Sequence, residues 1–188
     1  MKYPKIQFGD VEAVWNKLGG EEGAARFLRG EFVLVPTTVI SFTGDFNPET
    51  FSGLGEGWKI IPGETDIRGE SLPGLDFSKV RFETCLKEGE TFTTGEERLI
   101  RLKVGGHVRL GGKAFKTCWE NRHLLPENWK KDENKNIRYI FFDGLVLQDP
   151  LGSRYTLYMY WHGGSWDWNY RWLGRDRNAR NPSAVSAS

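Results

Sequence analysis

"IRYIFFDGLVLQDPLGSRYTLYMYW", residues 137–161, holds three apolar runs separated by Asp143-Gly144 and by Asp149-Pro150-Leu151-Gly152. Aromatic and β-branched residues fill the runs, and both separators are strong turn signals. The stretch predicts an antiparallel meander ending at Trp161. Upstream of the polar run "KKDENKN" (130–136) the period is helical. "TTGEERLIRLK" (93–103) opens with Thr at an N-cap position and carries Leu99, Ile100 and Leu102. "GGKAFKTCWENRHLL" (111–125) places Ala114, Phe115, Cys118, Trp119 and Leu125 at apolar positions and is stopped by Pro126. Two helices followed by a sheet give an α+β pattern.

The N-terminal part is simpler. Asp10 is a candidate cap for "VEAVWNKL" (11–18), with Val11, Val14, Trp15 and Leu18 on one stripe. "EEGAARFLRG" (21–30) reads as a second short helix closed by Gly30. "FVLVPTTVISF" (32–42) is a strand candidate interrupted by Pro36, and residues 43–80 read as loops or short hairpins laid over a core. The expected organisation is an N-terminal helical segment at 1–31 and one loop-rich domain at 32–188.

With 26 basic against 25 acidic residues the net charge is +1, so bulk electrostatics gives no attraction to nucleic acid or to a membrane surface. No apolar run reaches the roughly 18–20 residues of a membrane span. The first ten residues lack a secretory h-region. A soluble, cytoplasmic protein is the default expectation, with surface display left open. Cys85 and Cys118 are isolated and are expected to be free thiols. His107, His123 and His162 fall at unrelated spacings, so no zinc site is expected. Glu127 and Asn128 beside Pro126 suggest a calcium site, but no Asn-Asp pair follows to complete one. "GLGEG" (53–57) lacks the Lys and the strand–loop–helix frame of a phosphate loop. No catalytic residue, metal or cofactor is expected.

The tail is unusual. "WHGGSWDWNYRWLGRDRNARN" (161–181) sets Trp161, Trp166, Trp168 and Trp172 among small and polar residues, and alternation puts Trp166 and Trp168 on one strand face. The tryptophans read as scaffold. Between them, His162, Ser165, Asp167, Asn169, Tyr170 and Arg171 read as contact residues. Gly174, Arg175, Asp176, Arg177, Asn178, Arg180 and Asn181 extend that set. Tyr, Ser, Asn, Asp, Gly, Arg and Trp are the vocabulary of adaptable binding surfaces. Four Arg against two Asp favour an acidic or polar ligand.

This tail resembles the C-terminal variable region of diversity-generating retroelement target proteins, which have a C-type lectin fold. Gly163-Gly164-Ser165-Trp166 is similar to the G-G-S-W of the formylglycine-generating-enzyme branch of that fold, and Arg177, Ala179 and Arg180 echo its R-x-A-R pattern. "WENRHLLPENW" and "YIFFDGLVLQDPLG" resemble fixed segments of such variable proteins. The resemblance implies a C-type lectin-like fold with two helices packed on a small antiparallel sheet, and a surface diversified at adenine-templated codons to bind a macromolecular ligand, a protein above all. Such diversification never yields Lys, Glu, Gln, Met or Trp. Residues 162–181 contain none of the first four. The chain departs from the enzyme branch in two ways: "PSAVSAS" stands where a G-F-R strand is expected, and no cysteine follows Cys118 to form a copper-binding pair. Formylglycine chemistry is therefore not expected. A fixed carbohydrate-binding module with sugar-stacking tryptophans is the alternative.

Overall fold

A computed structural model of the chain describes residues 8–31 and 39–187. The chain divides into two compact units, residues 1–37 and 38–188. In the first, helix α1 (Phe8–Leu18) is followed by α2 (Gly20–Leu28). α1 begins two residues before Asp10, which therefore sits inside the helix and not at its cap. The expected apolar stripe forms, but Val11, Val14 and Trp15 remain exposed. α2 ends as its glycine predicts. Gly30 adopts φ 74° and donates to the Phe27 carbonyl, while Glu31 N–H reaches back to the Arg26 carbonyl.

The second unit is a mixed α+β structure. Its strands are β1 (Val39–Ser41), β2 (Lys59–Ile60), β3 (Gly74–Asp76), β4 (Val80–Glu83), β5 (Phe92–Thr94) and β6 (Val108–Arg109), then β7 (Tyr139–Phe141), β8 (Leu147–Gln148), β9 (Arg154–His162), β10 (Ser165–Trp172), β11 (Asp176–Asn178) and β12 (Ser183–Ser186). Helices α3 (Ile67–Glu70), α4 (Gly95–Val104) and α5 (Gly112–Glu120) complete it. β1 is the tail of the strand expected at 32–42; residues 32–38 lie outside the described residues. The main sheet is larger than the small antiparallel sheet expected. It runs β2-β8-β9-β7-β12-β4, with β10 also on β9 and β6 also on β12, and β12 is parallel to β7. No helix among the described residues is long and apolar enough to cross a membrane.

Local chemistry explains the helices. The Thr94 hydroxyl accepts the Glu97 N–H at 3.2 Å and caps α4, whose Leu99 and Leu102 are buried. α5 buries Ala114, Phe115 and Cys118 but stops at Glu120, five residues before the expected end. There the Asn121 backbone N–H and its side-chain amide both donate to the Thr117 carbonyl at 3.0 Å. A single 3-10 turn (Arg122–Leu124) then lets Leu125 return to the core.

The stretch 137–161 is not a plain meander. β7 and β8 both pair with β9, at Phe141↔Tyr158 and Leu147↔Tyr155, so six residue steps face three. Asp143-Gly144 is thus a three-residue bulge in one interrupted strand and does not reverse the chain. Three tertiary contacts outweigh its turn propensity. The Asp143 carboxylate is buried against Arg98 at 2.8 Å and accepts the Ser183 hydroxyl. At Gly144 a Cβ would lie 2.5 Å from the Arg109 carbonyl oxygen. The reversals occur at residues 149–152 and at Gly163-Gly164, whose φ values of 59° and 88° suit a two-residue hairpin turn. "PSAVSAS" does supply a last strand. β12 lies inside the sheet, with Ala184 and Val185 buried.

Candidate binding face on strands β7, β9 and β10

β9 and β10 form an eight-pair antiparallel ladder, from Ser165↔His162 to Trp172↔Tyr155. Side chains alternate across such a ladder, so β10 has two faces. Trp166, Trp168, Tyr170 and Trp172 share one. Ser165, Asp167, Asn169 and Arg171 share the other.

The first face is anchored inward. Trp166 is 6% exposed and meets Trp161 edge-on, with ring centroids 5.8 Å apart. Trp168 packs against Phe51, Phe115 and Trp119, and its indole fills the space over Gly53, where a Cβ would come within 2.7 Å of the ring. Trp161, Trp166 and Trp168 all join the main hydrophobic core. Trp172 does not: it is 49% exposed, and its ring folds over Gly174. Tyr170, expected among the contact residues, lies on this tryptophan side and packs on Trp58 and Tyr155 at 4.8 and 5.4 Å.

The second face is open. Ser165, Asp167 and Asn169 are exposed and Arg171 is half-buried. They lie beside residues that the sequence reading did not select. Tyr160 and Tyr158 on β9 pair with Asp167 and Asn169, and Tyr139 on β7 pairs with Tyr160. The three tyrosine ring centroids are 5.3 to 6.0 Å apart, and Tyr158 stacks on buried Phe141 at 4.8 Å. The Tyr160 hydroxyl donates to Asp167 at 3.2 Å. Burial raises the phenol pKa of both Tyr158 and Tyr160. The alternation Tyr158-Met159-Tyr160, with Tyr139 opposite, was a signal that could have found this platform.

The remaining selected residues divide. His162, Arg175, Asp176 and Arg180 are exposed. Gly174 offers no side chain, and a Cβ there would meet the Trp172 ring at 2.6 Å. Asn178 and Asn181 hold their own turn: the Asn181 side-chain oxygen accepts the Asn178 N–H at 3.1 Å, and that of Asn178 accepts the Arg180 N–H at 3.0 Å. Asn181 and Arg177 are buried, so neither belongs to the surface as the protein is folded here.

Arg177 is the more consequential. Its guanidinium lies over the Phe141 ring at 4.3 Å, and Nη2 donates to the Arg171 carbonyl at 3.3 Å. Nε and Nη1 have no hydrogen-bond partner among the described residues. Arg98, fully buried, lies over the same ring at 4.8 Å and holds Asp143. Burial, followed by repulsion from Arg98, pushes Arg177 down to about 9, so it still carries its charge at neutral pH. Among the described residues no group of three or more His, Cys, Asp or Glu side chains could hold a metal ion. No protein-family model, curated protein or solved structure matches this chain.

Proposed function

We propose that this chain is a non-enzymatic binding protein of C-type lectin-like fold, whose β10 surface is diversified by a retroelement to recognise varied protein ligands. The observation that carries the reading is the split of β10 into two faces. Trp166 and Trp168 are locked into the core, while Ser165, Asp167, Asn169 and Arg171 alternate with them on the outside. A scaffold of this kind lets contact residues change with little effect on folding, because exposed substitutions usually cost within about 0.5 kcal/mol. The burial of Trp166 also weighs against a sugar-stacking role for that residue. Trp172 is the one tryptophan of the set whose exposure favours the alternative, a fixed glycan site, and Trp172→Ala would abolish glycan binding if that reading held.

The test is a displayed library in which Ser165, Asp167, Asn169 and Arg171 are randomised together, beside a second in which Trp166 and Trp168 are. The reading predicts that most members of the first library fold and that selection against unrelated proteins yields distinct binders. Few members of the second should fold. A first library that is mostly unfolded, or that yields no binder, contradicts it.

A further inference from the structure

We infer that the surface around Tyr158 and Arg171 is a carboxylate-binding subsite, where a protein partner presents an acidic side chain. The inference rests on the reading of this face as the binding surface and names the chemistry it accepts in this variant.

Two donors with spare capacity meet there, with a buried cation beneath the surface. The Arg171 guanidinium, half-buried, makes no ion pair or side-chain hydrogen bond among the described residues, and the Tyr158 hydroxyl makes no hydrogen bond among them. Arg177, fully buried, keeps two nitrogens, Nε and Nη1, without a hydrogen-bond partner among the described residues. Tyr158 lies two residues along β9 from Thr156, the partner of Arg171, on the same face, and Arg177 donates to the Arg171 carbonyl while lying over the Phe141 ring on which Tyr158 stacks.

Charge does not balance at this spot. Arg98 consumes the buried carboxylate of Asp143, and Asp167 is engaged by the Tyr160 hydroxyl. Arg177 shares the field of Asp143 with Arg98 but makes no ion pair of its own among the described residues. A buried cation in that condition is costly, and an anion placed just outside it relieves the cost. Because Arg177 is covered, a ligand carboxylate would bond to Arg171 and Tyr158 directly and feel Arg177 through a poorly screening interior. The planar guanidinium of Arg171 suits a carboxylate in bidentate fashion. A polyphosphate backbone fits less well, since it needs a track of cations and β10 carries one arginine, Arg171.

The probe is a hexaglutamate peptide, titrated at low ionic strength into the full chain and into Arg171→Gln, Tyr158→Phe and Arg122→Gln variants, each checked for native circular dichroism. Arg122 is exposed and stacks on Trp119, outside the platform. Saturable binding is expected, weakened about tenfold by Arg171→Gln or Tyr158→Phe, the scale of one hydrogen bond to a charged group, and unchanged by Arg122→Gln. Absence of saturable binding, equal loss with Arg122→Gln, or tighter binding of a six-nucleotide single strand would overturn the proposal. Those outcomes leave the diversified reading standing, because that reading is tested by library tolerance and by the gene's locus.

Discussion

Replacing Trp166 by Ala removes a side chain that is 6% exposed and seated on Trp161. A buried Trp withdraws roughly 150–250 Å² from water, worth about 4–6 kcal/mol at ~25 cal/mol per Å². Measured large-to-small core changes of this type cost about 3–5 kcal/mol. Taking ~4 kcal/mol, and roughly 2–4 °C per kcal/mol for a unit of this size, Tm should fall by roughly 8–16 °C. Asn169 lies on the same strand three residues on, with its side chain on the opposite face, and is exposed. Asn169→Ala should therefore stay within about 0.5 kcal/mol, or about 2 °C. Thermal unfolding followed by far-UV circular dichroism at one scan rate reads both. If Asn169→Ala falls as far as Trp166→Ala, or if Trp166→Ala costs under ~1 kcal/mol, the two-faced account of β10 is refuted.

Three further outcomes follow from other parts of the molecule. Asp143→Asn should cost about 3–5 kcal/mol in urea unfolding, because it leaves the fully buried Arg98 without its counterion. Hydrogen bonds from Arg101, and then from the Lys87 backbone N–H, hold the Glu90 carboxyl at about 2, below its ordinary 4.5. A depressed carboxyl contributes stability above its unfolded pKa and loses it as pH falls through the folded one. The urea midpoint should therefore drop between about pH 5 and about pH 2, and Glu90→Gln should make that drop shallower. Burial raises both thiols, but Cys118 is enclosed by the core while Cys85 is only half-buried. A colorimetric disulfide reagent should titrate Cys85 in the native protein and Cys118 only on unfolding; equal rates would contradict that difference in burial.

The parts of this fold legible in the sequence are those set by local chemistry. Thr94 caps α4 and Gly30 closes α2 through backbone geometry that neighbouring residues determine. Period-two alternation alone places Trp166 with Trp168 on one face. Tertiary contacts decided the rest. Asp143-Gly144 has the composition of a hairpin turn, yet Arg98, Ser183 and the Arg109 backbone, all distant in sequence, hold it as a bulge. α5 ends at Glu120 with no Gly or Pro to announce it; the Asn121 side-chain amide joins its own backbone N–H on the Thr117 carbonyl and closes the last turn. Arg177 sits in a run that is polar but for Ala179, "RDRNAR" (175–180), and nothing in that run distinguishes the buried arginine from its exposed neighbours Arg175 and Arg180. Alternation puts Tyr158 and Tyr160 on one face of β9, but only the β7–β9–β10 register adds Tyr139 and sets the three beside Asp167 and Asn169.

The measurement that tests the central claim most directly is the DNA sequence of the gene's own locus. The account predicts a near-copy of the segment encoding residues 161–181, differing from it only at adenines, with a reverse transcriptase gene nearby. Within that copy, the codons aligned with Ser165, Asp167 and Arg171 should be among those that differ, the one aligned with Asn169 should carry the template adenines, and those for Trp166 and Trp168 should not differ. A complete locus holding neither the copy nor the reverse transcriptase contradicts the account.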